Sequence, residues 1–201
     1  MNSLYSFIVK PLNERYDNVK KIGDKKLIVN TGIEDHQFIS KKAVVVSTPA
    51  AFKTKINTGD EIYIHHNIFR RWYDQKGRER NSSTYFKDDL YFVSPEQIYM
   101  YNSKPHLDYC FVKPILNTHF LENRKEQLNV GIVKYTNNTL EALGITPGTL
   151  ITFTPNSEFE FIIDGERLYC MKSNNIALTH EYQGNEIENN PSWAKSSWRT
   201  N

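Results

Sequence analysis

Histidine and cysteine, the side chains that most often bind structural metals, are few and scattered in this sequence. His65 and His66 are adjacent in a run that is typical of a strand, and neighbouring side chains of a strand point to opposite faces. We therefore expect that these two rings cannot bind one ion together. No histidine pair has the i, i+4 spacing of a helical site and no Cys-x-x-Cys occurs, so the sequence predicts no metal site and no cofactor.

Enzyme motifs are also missing from the chain. It contains neither the Gly-x-Ser-x-Gly turn of serine hydrolases nor the glycine patterns of Walker A and Rossmann nucleotide sites. The two cysteines, Cys110 and Cys170, lie in strand-like runs, and we expect buried thiols rather than a disulfide. No residue is a catalytic candidate, and we expect that the protein is not an enzyme.

Residues 70–80 have the chemistry that best suits a binding surface. Five basic residues against two acidic ones leave a charge of +3 (5 − 2), and aromatic residues stand among them. Arginine and aromatic side chains can contact phosphates and stack on bases, so a nucleic-acid-binding β-barrel is one hypothesis. The same stretch also suits a solvated hairpin with Lys76-Gly77 as its turn, or the lining of a cavity. The net charge of the whole chain is only +2, which argues against nucleic acid as the partner.

An aliphatic triplet, Leu27, Ile28 and Val29, lies in the largely polar stretch 17–42. A polar segment with a few apolar residues can stay unfolded alone and order on a partner. Three such side chains could contribute about 5–9 kcal/mol if fully buried on that partner. The triplet could also be a buried strand. Gly23 and Gly32 on either side of it favour the loop.

Short runs of β-branched and aromatic residues dominate the chain and predict strands. No window shows a sustained amphipathic helix. Ser94-Pro95 predicts one helical turn, and Asp164-Gly165 predicts a hairpin turn. The sequence thus predicts an all-β fold of small barrels or sandwiches. The predicted strands are 7–9, 43–46, 61–64, 85–86, 90–93, 111–112, 130–133, 150–153, 159–163 and 168–171.

The second half of the chain is a degenerate copy of the first. The offset between matching blocks falls along the chain, so the second copy lacks about 14 residues (103 − 89) and then about 11 (89 − 78). Long loops in compact domains are often functional, so we look for function in the segments that only the first copy has. The matching blocks are 5–11 with 110–114 (offset 113 − 10 = 103), 56–64 with 145–153 (145 − 56 = 89), and 90–93 with 168–171 (168 − 90 = 78).

The chain of 201 residues is long enough for two small domains, which we place at residues 1–102 and 107–179. Residues 102–105 are the predicted linker. A polar tail at 180–201, with Trp193 and Trp198, is expected to be mobile or to lie over the surface. No signal-peptide pattern occurs, and no apolar run approaches the roughly 20 residues that span a bilayer, so we expect a cytoplasmic protein.

Several motifs follow one another in the first half in a defined order. They are a strand ending in Val9-Lys10-Pro11-Leu12, a glycine-bracketed loop at 23–32 with the aliphatic triplet, a Val-rich strand at 43–46, an Ile-x-x-Gly-Asp-x-Ile segment at 56–62, and a closing strand at 90–93 that leads to Ile98 and Met100.

In this order and spacing the motifs resemble those of the GroES co-chaperonin family. The resemblance covers residues 5–101, and residues 109–178 more loosely. It implies two tandem GroES-like small β-barrels with a mobile loop in the first. Proteins of this kind form a ring, cap a GroEL-type chaperonin in its ATP- or ADP-bound state, and enclose an unfolded client protein.

The resemblance also implies a homo-oligomeric ring of seven subunits, joined through edge strands at the two ends of each subunit. The residues that it assigns are the chaperonin-binding Leu27, Ile28 and Val29, the subunit-interface Phe7, Ile8, Val9, Ile98, Tyr99 and Met100, and the roof-hairpin Arg70, Arg71, Trp72 and Tyr73.

The chain departs from the family pattern in three ways. It is a tandem, as in the double-domain plastid co-chaperonins, and its second copy lacks an obvious mobile loop. Its first copy carries a longer aromatic and basic insertion, at 69–86, where the family has its roof hairpin. These departures and the Asn-rich composition would suit a co-chaperonin encoded by a bacteriophage and acting in the host cytoplasm.

Two other functions stay open. One is the nucleic-acid-binding β-barrel that uses the hairpin at 69–86. The other is a structural or interaction module that kept the fold without the chaperonin.

Overall fold

The computed structural model describes residues 3–16, 18–22, 24–28, 32, 38–117, 126–181 and 186–195. Within these ranges the chain is built mainly of antiparallel strands, which confirms the predicted all-β class. The chain divides into two compact units, Met1–Ser103 and Lys104–Asn201.

The described part of the first unit consists of short strands with two 3-10 turns, at His66–Ile68 and Pro95–Gln97. Its strands are β1 (Phe7–Pro11), β2 (Val19–Ile22), β3 (Lys25–Ile28), β4 (Lys42–Ser47), β5 (Glu61–Ile64), β6 (Arg71–Tyr73), β7 (Glu79–Asn81), β8 (Tyr85–Lys87), β9 (Leu90–Val93) and β10 (Ile98–Tyr101).

Six of these strands form an antiparallel sheet in the order β10-β5-β4-β1-β9-β8. The strands β2 and β3 form a separate hairpin, and so do β6 and β7. Side chains of β4 alternate between the two faces, and Ala43 and Val45 are the ones that face inward. They pack in one apolar core with Phe7, Ile62 and Tyr91.

The described part of the second unit has one short α-helix and some longer strands. Its elements are β11 (Lys104–Pro105), β12 (Tyr109–Leu116), β13 (Glu126–Tyr135), α1 (Asn138–Ala142), β14 (Leu150–Phe153), β15 (Phe159–Ile163), β16 (Glu166–Lys172), β17 (Ile176–His180), and 3-10 turns at Ser173–Asn175 and Ser192–Lys195.

The sheet of the second unit repeats the strand order of the first. Its order is β15-β16-β12-β13-β14-β17, which equals the first order when β12 is matched to β1 and β13 to β4. The register agrees as well, because Pro11 pairs with Ala43 in the first unit and Pro114 with Gly131 in the second. The duplication in the sequence is therefore a duplication of the fold.

One turn shows how closely the two copies agree. Gly59 and Gly148 both have a left-handed backbone, with φ of +92° and +95°. Each donates its N–H to the carbonyl of the matched strand, Val45 or Val133, at 2.8 Å. Only glycine adopts this backbone without a steric penalty, which explains why both copies keep it.

The local predictions agree with the structure in most places. All ten predicted strands are confirmed. Asp164 and Gly165 have φ of +52° and +76°, as a two-residue hairpin turn requires. Ser94 begins the predicted helical turn through a capping box with Gln97.

Two predictions differ from the structure. The sequence did not predict helix α1, because five residues are too few to show a periodic pattern. Asn137 caps the start of this helix, since its side chain accepts a hydrogen bond from Leu140 N (3.1 Å). In the predicted linker at 102–105, Asn102 and Ser103 form a tight turn with φ of +44° and +60°, and Lys104–Pro105 form the strand β11.

Candidate functional site

The candidate site lies between β1 and β4 of the first unit. We call residues 17–38, which connect these two strands, the β1–β4 excursion; its described strands β2 and β3 are not part of the sheet. At its base Tyr16 and Ile39 form an antiparallel bridge, and Ser40 N donates a hydrogen bond to Arg15 O (3.1 Å). The excursion therefore begins and ends at one place on the core of the unit.

Within the excursion, β2 and β3 form a hairpin that no third strand joins among the residues that the structure describes. Val19 pairs with Ile28, and Lys20 pairs with Leu27. Leu27 is 52% exposed and Ile28 is 60% exposed. A lone two-stranded hairpin is marginally stable in water. Because Leu27 and Ile28 are exposed on it, their side chains contribute little to the folded core.

The sequence left open whether the aliphatic triplet is a buried strand or a partner-binding loop. Leu27 and Ile28 do lie in a strand, but their side chains are exposed rather than buried. Val29 lies outside the described residues. The mobility that the resemblance implies for this loop stays a prediction.

The second unit is simpler at the matching place. There β12 and β13 pair directly as far as Leu116 and Glu126, and residues 118–125 lie outside the described chain. In the described part of the second unit, no separate hairpin comes between these two strands. The β2–β3 hairpin is therefore a described feature of the first copy alone.

The residues that the resemblance assigns to the roof lie on or next to a hairpin of β6 and β7, with Arg71 opposite Asn81 and Tyr73 opposite Glu79, and the roof role stays a prediction. The turn of this hairpin contains Gly77 with φ of +69°, as predicted. The Asp74 carboxylate closes the turn by accepting hydrogen bonds from Lys76 N and Arg78 N at 2.9 Å each.

Ion pairs within this hairpin reduce its free positive charge. Arg71 pairs with Glu79 at 2.8 Å and Arg80 pairs with Asp74 at 3.1 Å. Backbone hydrogen bonds, chiefly from Arg78, lower the pKa of Asp74, which keeps this carboxylate charged. Trp72 and Tyr73 remain partly exposed on the same hairpin.

Arg15 joins the base of the excursion to the β6–β7 hairpin. Its guanidinium donates hydrogen bonds to Phe69 O (2.5 Å), Asn81 Oδ1 (2.7 Å) and Arg70 O (3.1 Å). It also lies 5.3 Å from the ring centroid of Tyr91. The sequence carries no local signal for this role, since the acceptors lie more than 50 residues away along the chain.

The predicted subunit-interface residues are buried within the monomer. The strand β1 pairs with β4 on one edge and with β9 on the other. The expectation that β1 offers an unpaired edge is therefore wrong, because β1 lies inside the sheet. The buried residues are Phe7, Ile8 and Val9 of β1, and Ile98, Tyr99 and Met100 of β10.

The two adjacent histidines correct another expectation. The strand β5 ends at Ile64, and His65 begins the 3-10 turn that contains His66. Their rings stack with centroids 4.4 Å apart, so they do not point to opposite faces. Burial, and then the charge of Lys41, lower the pKa of His65, whose Nδ1 accepts a hydrogen bond from Asn67 N (3.1 Å).

The cysteines are free and buried, as predicted. Cys110 and Cys170 lie on the paired strands β12 and β16. Burial raises the pKa of Cys110 to about 12, which keeps its thiol protonated and unreactive near neutral pH.

In the part of the chain that the structure describes, no three His, Cys, Asp or Glu side chains come together as metal ligands. No described helix combines the length and the apolar character that crossing a membrane requires. No model of a known protein family matches the chain, and a search of curated protein sequences finds no match either.

Proposed function

We propose that the protein is a co-chaperonin that caps a GroEL-type chaperonin ring in its ATP- or ADP-bound state. In this proposal both units are GroES-like small β-barrels, and the chain hydrolyses nothing itself. The observation that carries the proposal is the exposure of Leu27 and Ile28 on a hairpin that, among the residues that the structure describes, is found in the first copy alone.

The base of the excursion supports this use. Tyr16, Ile39 and Arg15 fix both ends of the excursion on the core. A segment anchored in this way can order on a partner without disturbing the sheet beneath it. Ordering on binding lowers the affinity of each hairpin, and several hairpins bound at once restore it through avidity.

Avidity requires an oligomer, so the proposal includes a homo-oligomeric ring, with seven subunits by resemblance. Because β1 has a strand partner on both edges, the ring contact would use another surface. The strand β8 is a candidate, since it pairs only with β9 in the described sheet. A bacteriophage origin, and action in the host cytoplasm on an unfolded client, belong to the same proposal.

The ion pairs of the hairpin at 69–86 favour a role as the roof hairpin over a role in nucleic-acid binding. Two of its arginines are paired with its own acidic residues, Glu79 and Asp74, which weakens attraction for phosphates. We therefore keep nucleic-acid binding as the alternative.

Capture of the protein by an immobilised GroEL-type ring tests the proposal. We expect retention with ATP or ADP and none without nucleotide. The variant Leu27→Ser/Ile28→Ser should lose retention, because two buried aliphatic anchors contribute about 3 kcal/mol or more per hairpin, a factor above 100 in affinity. Adding Val29→Ser should deepen the loss.

The matched control is Leu128→Ser/Leu178→Ser, since both leucines are 58% exposed on strands of the second unit. This control should be retained like the natural protein. Equal retention of both variants would remove the β2–β3 hairpin as the contact. No nucleotide-dependent retention of the natural protein would remove the co-chaperonin function, and salt-sensitive binding to a single-stranded oligonucleotide would then favour the alternative.

A further inference from the structure

The described part of the polar tail fills a gap in the sheet of the second unit. The strand β12 runs to Leu116, but its pairing with β16 stops at Val112. Beyond this point Ile187 O accepts a hydrogen bond from Leu116 N (2.7 Å), and Asn189 N donates one to Pro114 O (2.8 Å). Residues 187–189 thus continue the sheet where β16 leaves β12.

Asn190 joins this tail segment to the other side of the gap. Its side-chain amide donates to Gly165 O (3.2 Å), and its Oδ1 accepts from Arg167 N (3.3 Å). The carboxamide therefore supplies one donor and one acceptor to the edge of β16, as the backbone of a neighbouring strand would.

Side-chain contacts, in addition to the backbone hydrogen bonds, make the gap selective for the sequence of the tail segment. Glu126 accepts hydrogen bonds from Asn189 Nδ2 (2.6 Å) and Tyr169 Oη (2.6 Å), and forms an ion pair with Arg167. The guanidinium of Arg167 lies 5.9 Å from the ring centroid of Trp193.

Two more residues on the tail segment add to its contacts. Glu188 forms an ion pair with Lys113 at 2.7 Å. Ala194 is fully buried. The gap thus has the features of a peptide-binding groove, because main-chain pairing is combined with recognition of particular side chains.

The length of the connection argues that a second copy can supply this segment. The strand β17 is at the far end of the sheet, with β14 and β13 between it and β12. Only five residues (182–186) lie between Glu181 and Ile187. Short connections of this kind favour the exchange of an identical segment between two copies of a chain.

We propose that the gap between β12 and β16 is an interaction surface for the tail segment 186–195 of a second copy, so that chains become linked by tail exchange. The proposal does not depend on chaperonin binding. The groove recognises the backbone of the tail segment and its side chains Glu188, Asn189, Asn190, Trp193 and Ala194, and every copy of the chain carries them.

Cross-linking between differently tagged chains tests the exchange. Ile115 and Glu188 lie opposite each other in an antiparallel bridge, as a pair that exchanges no hydrogen bonds. The Cα atoms of such a pair lie about 4.5 Å apart. This distance allows a disulfide between two cysteines at these positions. One chain carries Ile115→Cys and the other carries Glu188→Cys. The two are mixed, unfolded in urea, refolded together and oxidised.

We expect a covalent heterodimer of the two tagged chains. The matched control replaces Glu188→Cys by Glu181→Cys, an exposed residue just before the connection, and should give none. Adding Asn190→Ala to the Glu188→Cys chain should lower the yield about fivefold or more, since it removes two hydrogen bonds.

A chain that carries both cysteines provides the decisive comparison. If it cross-links within itself while the mixture yields no heterodimer, the tail binds only its own chain and the proposal is overturned. If neither sample cross-links, the gap does not hold the tail at all, which also overturns it.

Discussion

Tyr16 and Arg71 connect the base of the β1–β4 excursion to the β6–β7 hairpin. The Tyr16 hydroxyl accepts a hydrogen bond from the backbone N–H of Arg71 at 2.9 Å. The guanidinium of Arg71 lies 4.6 Å from the centroid of the Tyr16 ring. The β1–β4 excursion and the β6–β7 hairpin therefore share one anchor, in which the Tyr16 ring is part of the apolar core.

Removing the Tyr16 hydroxyl should weaken this anchor. In Tyr16→Phe the ring still packs in the core, but the N–H of Arg71 loses its acceptor. We expect a loss of about 1–2 kcal/mol in the free energy of unfolding, measured by urea denaturation. The control Tyr5→Phe, at a 70% exposed tyrosine, should change stability little. Equal effects of the two variants would contradict the anchor.

Replacing the exposed aliphatic residues of the β2–β3 hairpin should leave the fold intact. We expect Leu27→Ser/Ile28→Ser to change the free energy of unfolding by no more than about 0.5 kcal/mol per residue. Ile62→Ala, which opens a cavity in the core of the same unit, should cost about 2–5 kcal/mol. A similar loss in both variants, measured by urea denaturation, would mean that the hairpin residues support the core.

Glycines of the second unit should differ sharply in their tolerance of a methyl group. A Cβ at Gly131 would lie 2.5 Å from Val112 Cγ1 and 2.6 Å from Lys113 O, whereas a Cβ at Gly148 meets nothing within 4 Å. We expect Gly131→Ala to cost about 3 kcal/mol or more through overpacking. Gly148→Ala should cost about 1 kcal/mol, through its left-handed backbone alone.

Thermal unfolding of the two glycine variants, followed by circular dichroism, checks this difference. Ala43, which matches Gly131 in the first unit, shows that the shared fold can hold a methyl group at this position when the neighbours allow it. A smaller loss for Gly131→Ala than for Gly148→Ala would contradict the close approach of β12.

Alkaline pH should destabilise the fold through Cys110. Burial raises the pKa of this thiol from 9.0 to about 12 in the folded protein. Between these values the unfolded chain loses the proton and the folded chain keeps it, so stability falls as pH rises from about 9 to about 12. Below about pH 9 both states are protonated and the thiol adds no pH dependence.

Urea denaturation at a series of alkaline pH values measures this effect. Cys110→Ser removes the titrating group and should make the decline shallower. Part of the decline should remain, because burial also raises the pKa values of Cys170, Tyr91 and Tyr169. An unchanged slope in the variant would contradict the buried, protonated thiol.

The sequence by itself determined the features that depend on neighbouring residues. Strands such as β4 and β14 follow from β-branched runs between turn residues, and the Asp164-Gly165 turn follows from its tolerance of positive φ. The duplication was visible because both copies need the same inward-facing residues, such as Val9 and Val112, in their cores.

Only the tertiary structure decided the features that join residues distant in sequence. A pattern of apolar residues shows that a strand is half-buried, but not that β1 has partners on both edges or that Ile28 faces solvent. Arg15 donates to the backbone carbonyls of Phe69 and Arg70, and Asn190 donates to the backbone carbonyl of Gly165, and a backbone acceptor carries no residue-specific signal. These contacts exist because chain folding brings otherwise unrelated carbonyl and amide groups within hydrogen-bonding distance.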